Sequence, residues 1–471
     1  MGMHKIHVGP GGTFEPSGDF STSPMEIDAI FEKLRLEQTT AVTLHFHGGL
    51  VSEAKGAAIA DQLRPVYEAA QTYPIGFVWE TGLIETLRQN LTTVHRTKLF
   101  QKLLKWVIKR TAERFGGLDG RGVGSPVTEV EIDAQLARDR PFQDYDHETT
   151  GKGAARGGDI AIRESELELV RQELEAEFQE LVEGDLEIES LLAEKDQETP
   201  QVSSRGIFSP IKIIKALARI AFRVIRRHVR NRDHGFYPTI VEEILRELYL
   251  ADLGAWVWGS MKDKASNIWS SNDGLIGEEQ HIGSYFLEHL NTLQSERDVV
   301  VNLVGHSAGA VVISHLFDTL ERYPNVSFGT IAFLAPAATS DLVVQTMLSR
   351  QDRFSAFRMY TMTDHFERND MLVKGVYTRS LLYFIAGVLE PDMVDKPLSG
   401  MMRYASDKRP FDDDATREWT NYVRSNNRLA EADSTEVEPN AAPGFRTSSR
   451  SHGGFDNDLL TLESLTTLLK S

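Results

Sequence analysis

Short runs of apolar residues recur along the chain with the length and composition of buried β-strands. They are continuous rather than alternating, and they are rich in β-branched and aromatic side chains, which is typical of strands covered on both faces of a parallel sheet. The predicted strands are Ala41–Phe46, Ile75–Trp79, Val299–Val304, Thr330–Leu334 and Phe357–Met362. The last run alternates more and is predicted nearer an edge of the sheet, and His4–Val8 is predicted to add an edge strand.

Helical patterns lie between these strands. The clearest are Glu53–Ala70, Gly283–Leu293 and Ala308–Leu320, and Ser23-Pro24 has the residues of a helix cap and first turn. Strands that alternate with helices predict an α/β fold with a doubly wound, mostly parallel sheet.

The interval between Trp79 and Val299 is far longer than the crossover that an α/β unit needs. We therefore predict an insertion, a mainly helical cap or lid over residues 91–237. The catalytic domain would then be discontinuous, with residues 1–90 and 238–471, of which 391–444 are loop-rich.

The predicted cap contains helices of opposite charge. Lys98–Phe115 is a basic amphipathic pattern, the stretch 164–198 is acidic, and 211–230 is strongly basic on one face and apolar on the other. The basic face consists of Lys212, Lys215, Arg219, Arg223, Arg226 and Arg230.

Three interpretations of this basic face stay open. It can pair with the acidic stretch, it can contact an anionic membrane surface as a peripheral helix, or it can dock a partner. If the cap opens, pairing and membrane contact can alternate, and the cap would restrain a latent membrane-acting effector.

Composition narrows the functional classes. The chain has no cysteine, which excludes disulfides and a cysteine nucleophile, and its formal net charge of -18 argues against nucleic-acid binding. The first residues lack the pattern of a secretory signal, and no run reaches the roughly 18 apolar residues of a spanning helix. We expect a cytoplasmic protein or one that associates peripherally with a membrane.

The sequence Gly305-His306-Ser307-Ala308-Gly309 lies between a predicted strand and a predicted helix. A nucleophilic serine in such a tight turn needs small residues two positions away on either side, and glycine supplies both. A phosphate-binding loop would have more glycines and a lysine. The motif therefore predicts Ser307 as a nucleophile.

A second motif, His45-Phe46-His47-Gly48-Gly49-Leu50, directly follows an early strand. Its backbone N–H groups at Gly48, Gly49 and Leu50, together with that of Ala308, can stabilise an oxyanion. The alternative is a Gly-Gly turn that only ends the strand.

With HFHGGL, GHSAG and a late histidine, the sheet-forming half of the chain resembles the α/β-hydrolase superfamily, and within it the lipases and esterases. The resemblance implies an acid downstream of Ser307 and a histidine base near the C-terminus. His452, in a polar glycine-containing loop before the last predicted helix, fits the base. Asp364, directly after a predicted strand, is the favoured acid, and Asp370 and Asp341 are the alternatives.

These residues predict a serine hydrolase that cleaves carboxylic esters, those of lipids in particular, as a lipase or phospholipase. No cofactor is expected, and no cluster with metal-ligand spacing stands out. A soluble small-ester carboxylesterase or thioesterase is one alternative. A non-catalytic binding or regulatory protein with a hydrolase fold is another.

Overall fold

A computed structural model describes residues 3–18, 20–49, 51–79, 84–115, 127–146, 164–198, 209–250, 253, 255–391, 393–405, 409–432 and 442–470. Seven strands form one sheet in which every neighbouring pair is parallel. They are β1 Lys5–Val8, β2 Ala41–Phe46, β3 Tyr73–Trp79, β4 Val300–His306, β5 Phe328–Leu334, β6 Phe354–Met362 and β7 Leu429–Ala432. The prediction of an α/β fold with a parallel sheet is confirmed.

The strand order is β1-β3-β2-β4-β5-β6-β7. From β2 the chain adds β3 on one side, whereas from β4 it adds β5, β6 and β7 on the other. The order therefore reverses between β2 and β4, and ligands of open α/β sheets bind at the carboxyl ends of the strands at such a point. The edge position predicted for the first strand is confirmed, and β6 lies next to the edge strand β7.

The helices follow the predicted patterns closely in the sheet-forming segments. A capping box at Ser23 and Glu26 starts the first helix, as the Ser-Pro pair predicts. The helices are α1 Pro24–Leu36, α2 Glu53–Ala69, α3 Ile84–Arg96, α4 Lys98–Arg114, α5 Glu129–Leu136, α6 Glu164–Glu183, α7 Ile188–Glu198, α8 Pro210–Val229, α9 Phe236–Ile244, α10 Ala255–Asn267, α11 Ile282–Glu296, α12 Gly309–Asp318, α13 Ser340–Thr346, α14 Asp364–Asn369, α15 Leu381–Phe384, α16 Asp414–Arg424 and α17 Leu459–Leu469.

The acidic stretch 164–198 forms two helices rather than one. Gly184 follows the end of α6, and the Asp185 carboxylate then accepts hydrogen bonds from the N–H groups of Glu187 and Ile188, at 2.9 and 3.0 Å. An Asp side chain that satisfies free N–H groups starts a new helix. Within the described ranges, no helix has the length and apolar character needed to cross a bilayer.

The chain divides into two compact units. The first contains residues 1–86, 256–370 and 396–471, and it includes the whole sheet. The second contains 87–255 and 371–395, so it extends beyond the predicted insertion 91–237 and takes in a segment assigned above to the catalytic domain. The predicted loop-rich region 391–444 contains α16 and β7.

Buried charges explain why 371–395 belongs to the second unit. The ring of His234 lies between two buried carboxylates, with Nδ1 2.7 Å from Glu242 Oε1 and Nε2 2.8 Å from Asp395 Oδ1. Tyr377 donates to the same Glu242 at 2.6 Å, and Arg227 lies 2.7 Å from it. Burial alone would raise the pKa of Glu242, but these partners lower it to about 2. The buried contacts of Tyr377 with Glu242 and of Asp395 with His234 therefore join the segment 371–395 to residues of 87–255.

Candidate active site

The two predicted motifs lie at the point where the strand order reverses. The loop His47–Gly49 follows β2, and Ser307 follows β4 directly. The two strands are paired in register, with Phe46 opposite Gly305. Both loops therefore leave the same edge of the sheet side by side, at the place where a doubly wound sheet binds its ligands.

Ser307 has a backbone φ of 50°, a left-handed conformation that is uncommon for a residue other than glycine. Strain of this kind is characteristic of a nucleophile in a strand-to-helix turn. A Cβ on Gly309 would lie 2.1 Å from the carbonyl oxygen of Phe46, and one on Gly305 would lie 2.9 Å from the carbonyl carbon of Gly309. Close packing against β2 therefore requires glycine at position 309, and close packing against the start of α12 requires glycine at position 305.

His452 contacts Ser307 directly. The distance between His452 Nε2 and Ser307 Oγ is 2.8 Å, and both side chains are buried. Burial is the main cause that lowers the pKa of His452 to about 3, so its imidazole is neutral at neutral pH. A neutral imidazole at hydrogen-bond distance from a serine hydroxyl can accept the hydroxyl proton.

The turn before α17 carries His452 and is anchored by its neighbour Phe455. Phe455 is fully buried in the apolar core of the first unit, together with Val304 of β4 and Leu334 of β5. Gln62 of α2 also donates to the carbonyl of Asp456 at 2.9 Å. Side chains of the sheet and of α2 thus hold the loop that carries the histidine.

The glycine loop after β2 lies against the residue that follows the nucleophile. A Cβ on Gly49 would be 2.8 Å from the Cβ of Ala308, and one on Gly48 would be 3.4 Å from the Cβ of Ser307. Three of the four predicted oxyanion residues are therefore neighbours. Leu50, the fourth, lies outside the described residues.

His47 fixes this loop, a role that the sequence analysis did not assign. Its Nδ1 lies 2.7 Å from the carbonyl oxygen of Gly48, and its Nε2 accepts the backbone N–H of Trp79 at 3.2 Å. Since a carbonyl only accepts and an N–H only donates, the ring must carry its proton on Nδ1. Burial lowers the pKa of His47 to about 4, in agreement with a neutral ring.

The three acid candidates occupy different surroundings. Asp370 Oδ2 accepts the backbone N–H of His452 at 2.7 Å. Asp341 accepts from Lys396 Nζ at 2.7 Å, and Asp364 is the first residue of α14. Nδ1 of His452, where an acid would bind, is buried and has no hydrogen-bond partner in the described part of the chain.

A second buried pair lies beside the nucleophile and also escaped the sequence analysis. Nδ1 of His306 is 2.7 Å from Asp456 Oδ2, and its Nε2 is 3.0 Å from the carbonyl oxygen of His452. Asp456 lies shortly after His452 in the chain, but nothing local in the sequence pairs Asp456 with His306.

The basic face predicted on 211–230 belongs to α8 of the second unit. Its apolar side is buried within that unit, at Leu217, Ile220 and Val224 among others, and α6 packs along it. Arg219 Nε and Arg223 Nη1 bind the carboxylate of Glu247, at 3.0 and 2.9 Å. Of the six residues of the basic face, Lys212, Lys215, Arg219 and Arg230 are exposed, and Arg223 and Arg226 are half-buried.

The acidic stretch, in turn, pairs with α4. Arg114 binds Glu173 and Glu177 of α6 at 3.1 and 2.8 Å, and Lys102 binds Asp185 at 2.7 Å. Contact of the apolar side of α8 with a membrane would need that side to leave this packing. The predicted partner of the basic face was the stretch 164–198, whereas Arg219 and Arg223 bind Glu247, which lies outside that stretch.

Replacement of Arg219, Arg223, Arg226 and Arg230 by glutamine should therefore destabilise the protein and leave its affinity for anionic vesicles unchanged. Partly exposed pairs contribute up to about 1 kcal/mol each, so a fall of a few degrees in Tm is expected in a thermal melt. The matched control, Lys212→Gln with Lys215→Gln, removes exposed charges from the same helix and should leave Tm unchanged. A roughly thousandfold loss of vesicle binding with an unchanged Tm would instead establish membrane contact, at about 1 kcal/mol per basic residue.

No protein-family model matches the chain, and comparisons with curated proteins and with solved structures found no significant match. Among the described residues, no group of three or more His, Cys, Asp or Glu side chains could hold a metal ion.

Proposed function

We propose that this protein is a serine hydrolase that cleaves carboxylic esters through an acyl-enzyme on Ser307. The observation that carries the proposal is the 2.8 Å contact between Ser307 Oγ and His452 Nε2, at a strained turn between β4 and α12. A buried serine with an adjacent neutral imidazole is the arrangement of an activated nucleophile.

In this mechanism the Ser307 oxygen bonds to the ester carbonyl carbon while His452 Nε2 takes the hydroxyl proton. The negative charge that forms on the carbonyl oxygen is stabilised by backbone N–H groups of the Gly49 loop and of Ala308. His452 returns the proton to the leaving alcohol as the C–O bond breaks. In the second half of the reaction, water attacks the acyl carbon while His452 takes a proton from it. The bond to the Ser307 oxygen then breaks, His452 returns the proton to that oxygen, and the carboxylic acid leaves.

The reversal of strand order between β2 and β4 supports a doubly wound sheet of the α/β-hydrolase type. The 87–255 segment enters the chain between β3 and α10, and we propose that it serves as a cap. Lipid esters are the proposed substrates, and the resemblance of the two motifs to lipases supports them.

Covalent labelling tests the proposal. A fluorophosphonate probe should label the wild-type protein with one adduct, which peptide mass spectrometry should locate on Ser307. Hydrolysis of p-nitrophenyl esters from two to sixteen carbons should accompany labelling, and a preference for long chains would support a lipase over a small-ester esterase. Faster hydrolysis of a thioester than of an ester with the same chain length would identify a thioesterase. Failure to label and to hydrolyse any ester would favour the non-catalytic alternative.

The acid can be identified with three variants. We propose Asp370, in place of the favoured Asp364, because its carboxylate accepts the backbone N–H group of His452. Asp370→Asn keeps the accepting oxygen but removes the charge that would stabilise the imidazolium, so kcat should fall roughly 10²–10⁴-fold. Asp364→Asn and Asp341→Asn serve as matched controls and should retain most activity. A larger loss at either control would assign the acid to that residue.

A further inference from the structure

The orientation of a catalytic histidine is usually fixed by an acid on its second ring nitrogen. Here Nδ1 of His452 has no hydrogen-bond partner among the described residues, although it is buried. Its backbone, by contrast, is held on both sides. Asp370 accepts from its N–H group at 2.7 Å, and His306 Nε2 lies 3.0 Å from its carbonyl oxygen.

The contact of His306 with the carbonyl determines the protonation of its ring. A carbonyl oxygen only accepts, so Nε2 of His306 must carry a proton. Nδ1 faces the Asp456 carboxylate at 2.7 Å, and the pair shares a second proton. Burial lowers the pKa of His306, but the charge of Asp456 and both hydrogen bonds outweigh it and raise the pKa.

The same contacts hold the carboxyl group of Asp456 ionised. Burial raises its pKa, whereas the charge of His306 and the hydrogen bond to it lower the pKa below its ordinary value. His45 and His47 also face this carboxylate, and burial lowers the pKa of each to about 4. His306 and Asp456 therefore form a buried ion pair of imidazolium and carboxylate.

This ion pair closes a ring of contacts around the nucleophile. His306 precedes Ser307 in the chain and binds the backbone of His452, whose side chain binds Ser307. Asp456, shortly after His452 in the chain, binds the other side of the His306 ring. A shift of the His452 backbone relative to Ser307 would break at least one of these contacts.

We propose that His306 and Asp456 are positioning residues, which fix the backbone of His452 relative to Ser307. The role rests on the proposed function, in which His452 is the base. A misplacement of about 1 Å can cost on the order of 100-fold in rate, so a positioning defect should lower kcat and leave KM nearly unchanged.

Two variants that differ by one methylene test the proposal. Both carry Asp456→Asn, so that no buried carboxylate is left without its cation. In the first, His306→Gln places an amide N–H near the position of Nε2 and can still donate to the carbonyl of His452. In the second, His306→Asn reaches only the position of Nδ1 and loses that hydrogen bond.

With a short soluble ester, the Asn variant should lose about 10- to 100-fold in kcat at unchanged KM, and the Gln variant should recover most of it. The two variants have the same charge, but the Asn variant leaves the buried carbonyl of His452 without its donor, so its Tm should be a few degrees lower. The kcat values are therefore compared at a temperature where both variants are folded. Equal kcat values for the two variants, or wild-type values for both, would overturn the positioning role.

Nitrogen NMR of the wild-type protein with ¹⁵N-labelled histidine provides a measurement that needs no substrate, once the His306 signal is assigned by its loss in a His306 variant. His306 should carry protons on both ring nitrogens at pH 6, below the ordinary pKa of a histidine, where His452 should be neutral. A neutral His306 ring would overturn the ion pair. If the wild-type protein neither labels nor hydrolyses esters, the proposed function fails and the positioning role fails with it, whereas the NMR signal still decides whether the pair exists.

Discussion

Ser307→Ala should abolish labelling by a fluorophosphonate and lower ester hydrolysis by 10³–10⁶-fold, the range seen when a triad nucleophile is removed. The reason is that the hydroxyl oxygen forms the acyl bond, and the contact with His452 Nε2 at 2.8 Å has no substitute in the variant. The change removes one oxygen from a turn whose backbone is otherwise unaltered, so Tm should change little. Steady-state kinetics and a thermal melt measure the two effects.

Ser314→Ala is the matched control for this prediction. Ser314 is a buried serine of α12, seven positions on, whose hydroxyl donates to the carbonyl of Ala310 at 2.8 Å. The control removes a buried hydroxyl from the helix that follows Ser307 and should keep both labelling and hydrolysis. Retention of more than a tenth of wild-type activity in Ser307→Ala would exclude Ser307 as the nucleophile.

His452→Gln should lower kcat nearly as far as Ser307→Ala does. Glutamine preserves most of the side-chain volume but supplies no base, so the serine hydroxyl keeps its proton. Because the two residues act as one unit, the double variant with Ser307→Ala should lose little more than either single variant. Steady-state kinetics of the two single variants and the double variant measure this coupling.

His365→Gln is the control for the base, since His365 is an exposed histidine of α14 that also follows Ser307 in the chain. It should retain wild-type kcat. Losses that add for Ser307→Ala and His452→Gln would show that the two side chains act independently, contrary to the contact between them.

Local patterns were sufficient to predict most of the sheet and the position of Ser307 in a strand-to-helix turn, whereas His452 was predicted from the family resemblance. The run Ala41–Phe46 coincides with β2, and the predicted strand before Ser307 begins one residue before β4 does. A continuous apolar strand and a glycine-flanked serine are determined by residues within a few positions of each other, so a short window contains the signal.

Features that depend on distant partners were not predicted. Strand β7, with the sequence LAEA, is short and weakly apolar, and its parallel pairing with β6 defines it. The contact of His306 with Asp456 joins residues that are far apart in the sequence. The same is true of the contact of Asp395 with His234, which joins 371–395 to the second unit. Buried polar contacts have no periodicity, so only the folded chain reveals them.

The break at Gly184 is different, because its signal was present locally. A glycine followed by an aspartate is the usual end of one helix and cap of the next. The acidic composition of 164–198 is nevertheless continuous across it, and charge alone does not mark the boundary of a helix.

The central pairing of the sheet also has a consequence for how the site is assembled. Ala41 of β2 lies opposite Val300 of β4, so the loop between these strands contains the entire 87–255 segment. The entropic cost of closing such a loop grows only slowly with length, by about 0.6 kcal/mol per doubling, but parallel pairing over a long separation is slow. On the ribosome, β2, β3 and the 87–255 segment emerge before β4 has been synthesised. Ser307 and His452 can therefore meet only after the 87–255 segment has been synthesised, and a nascent chain that ends before His452 lacks the pair.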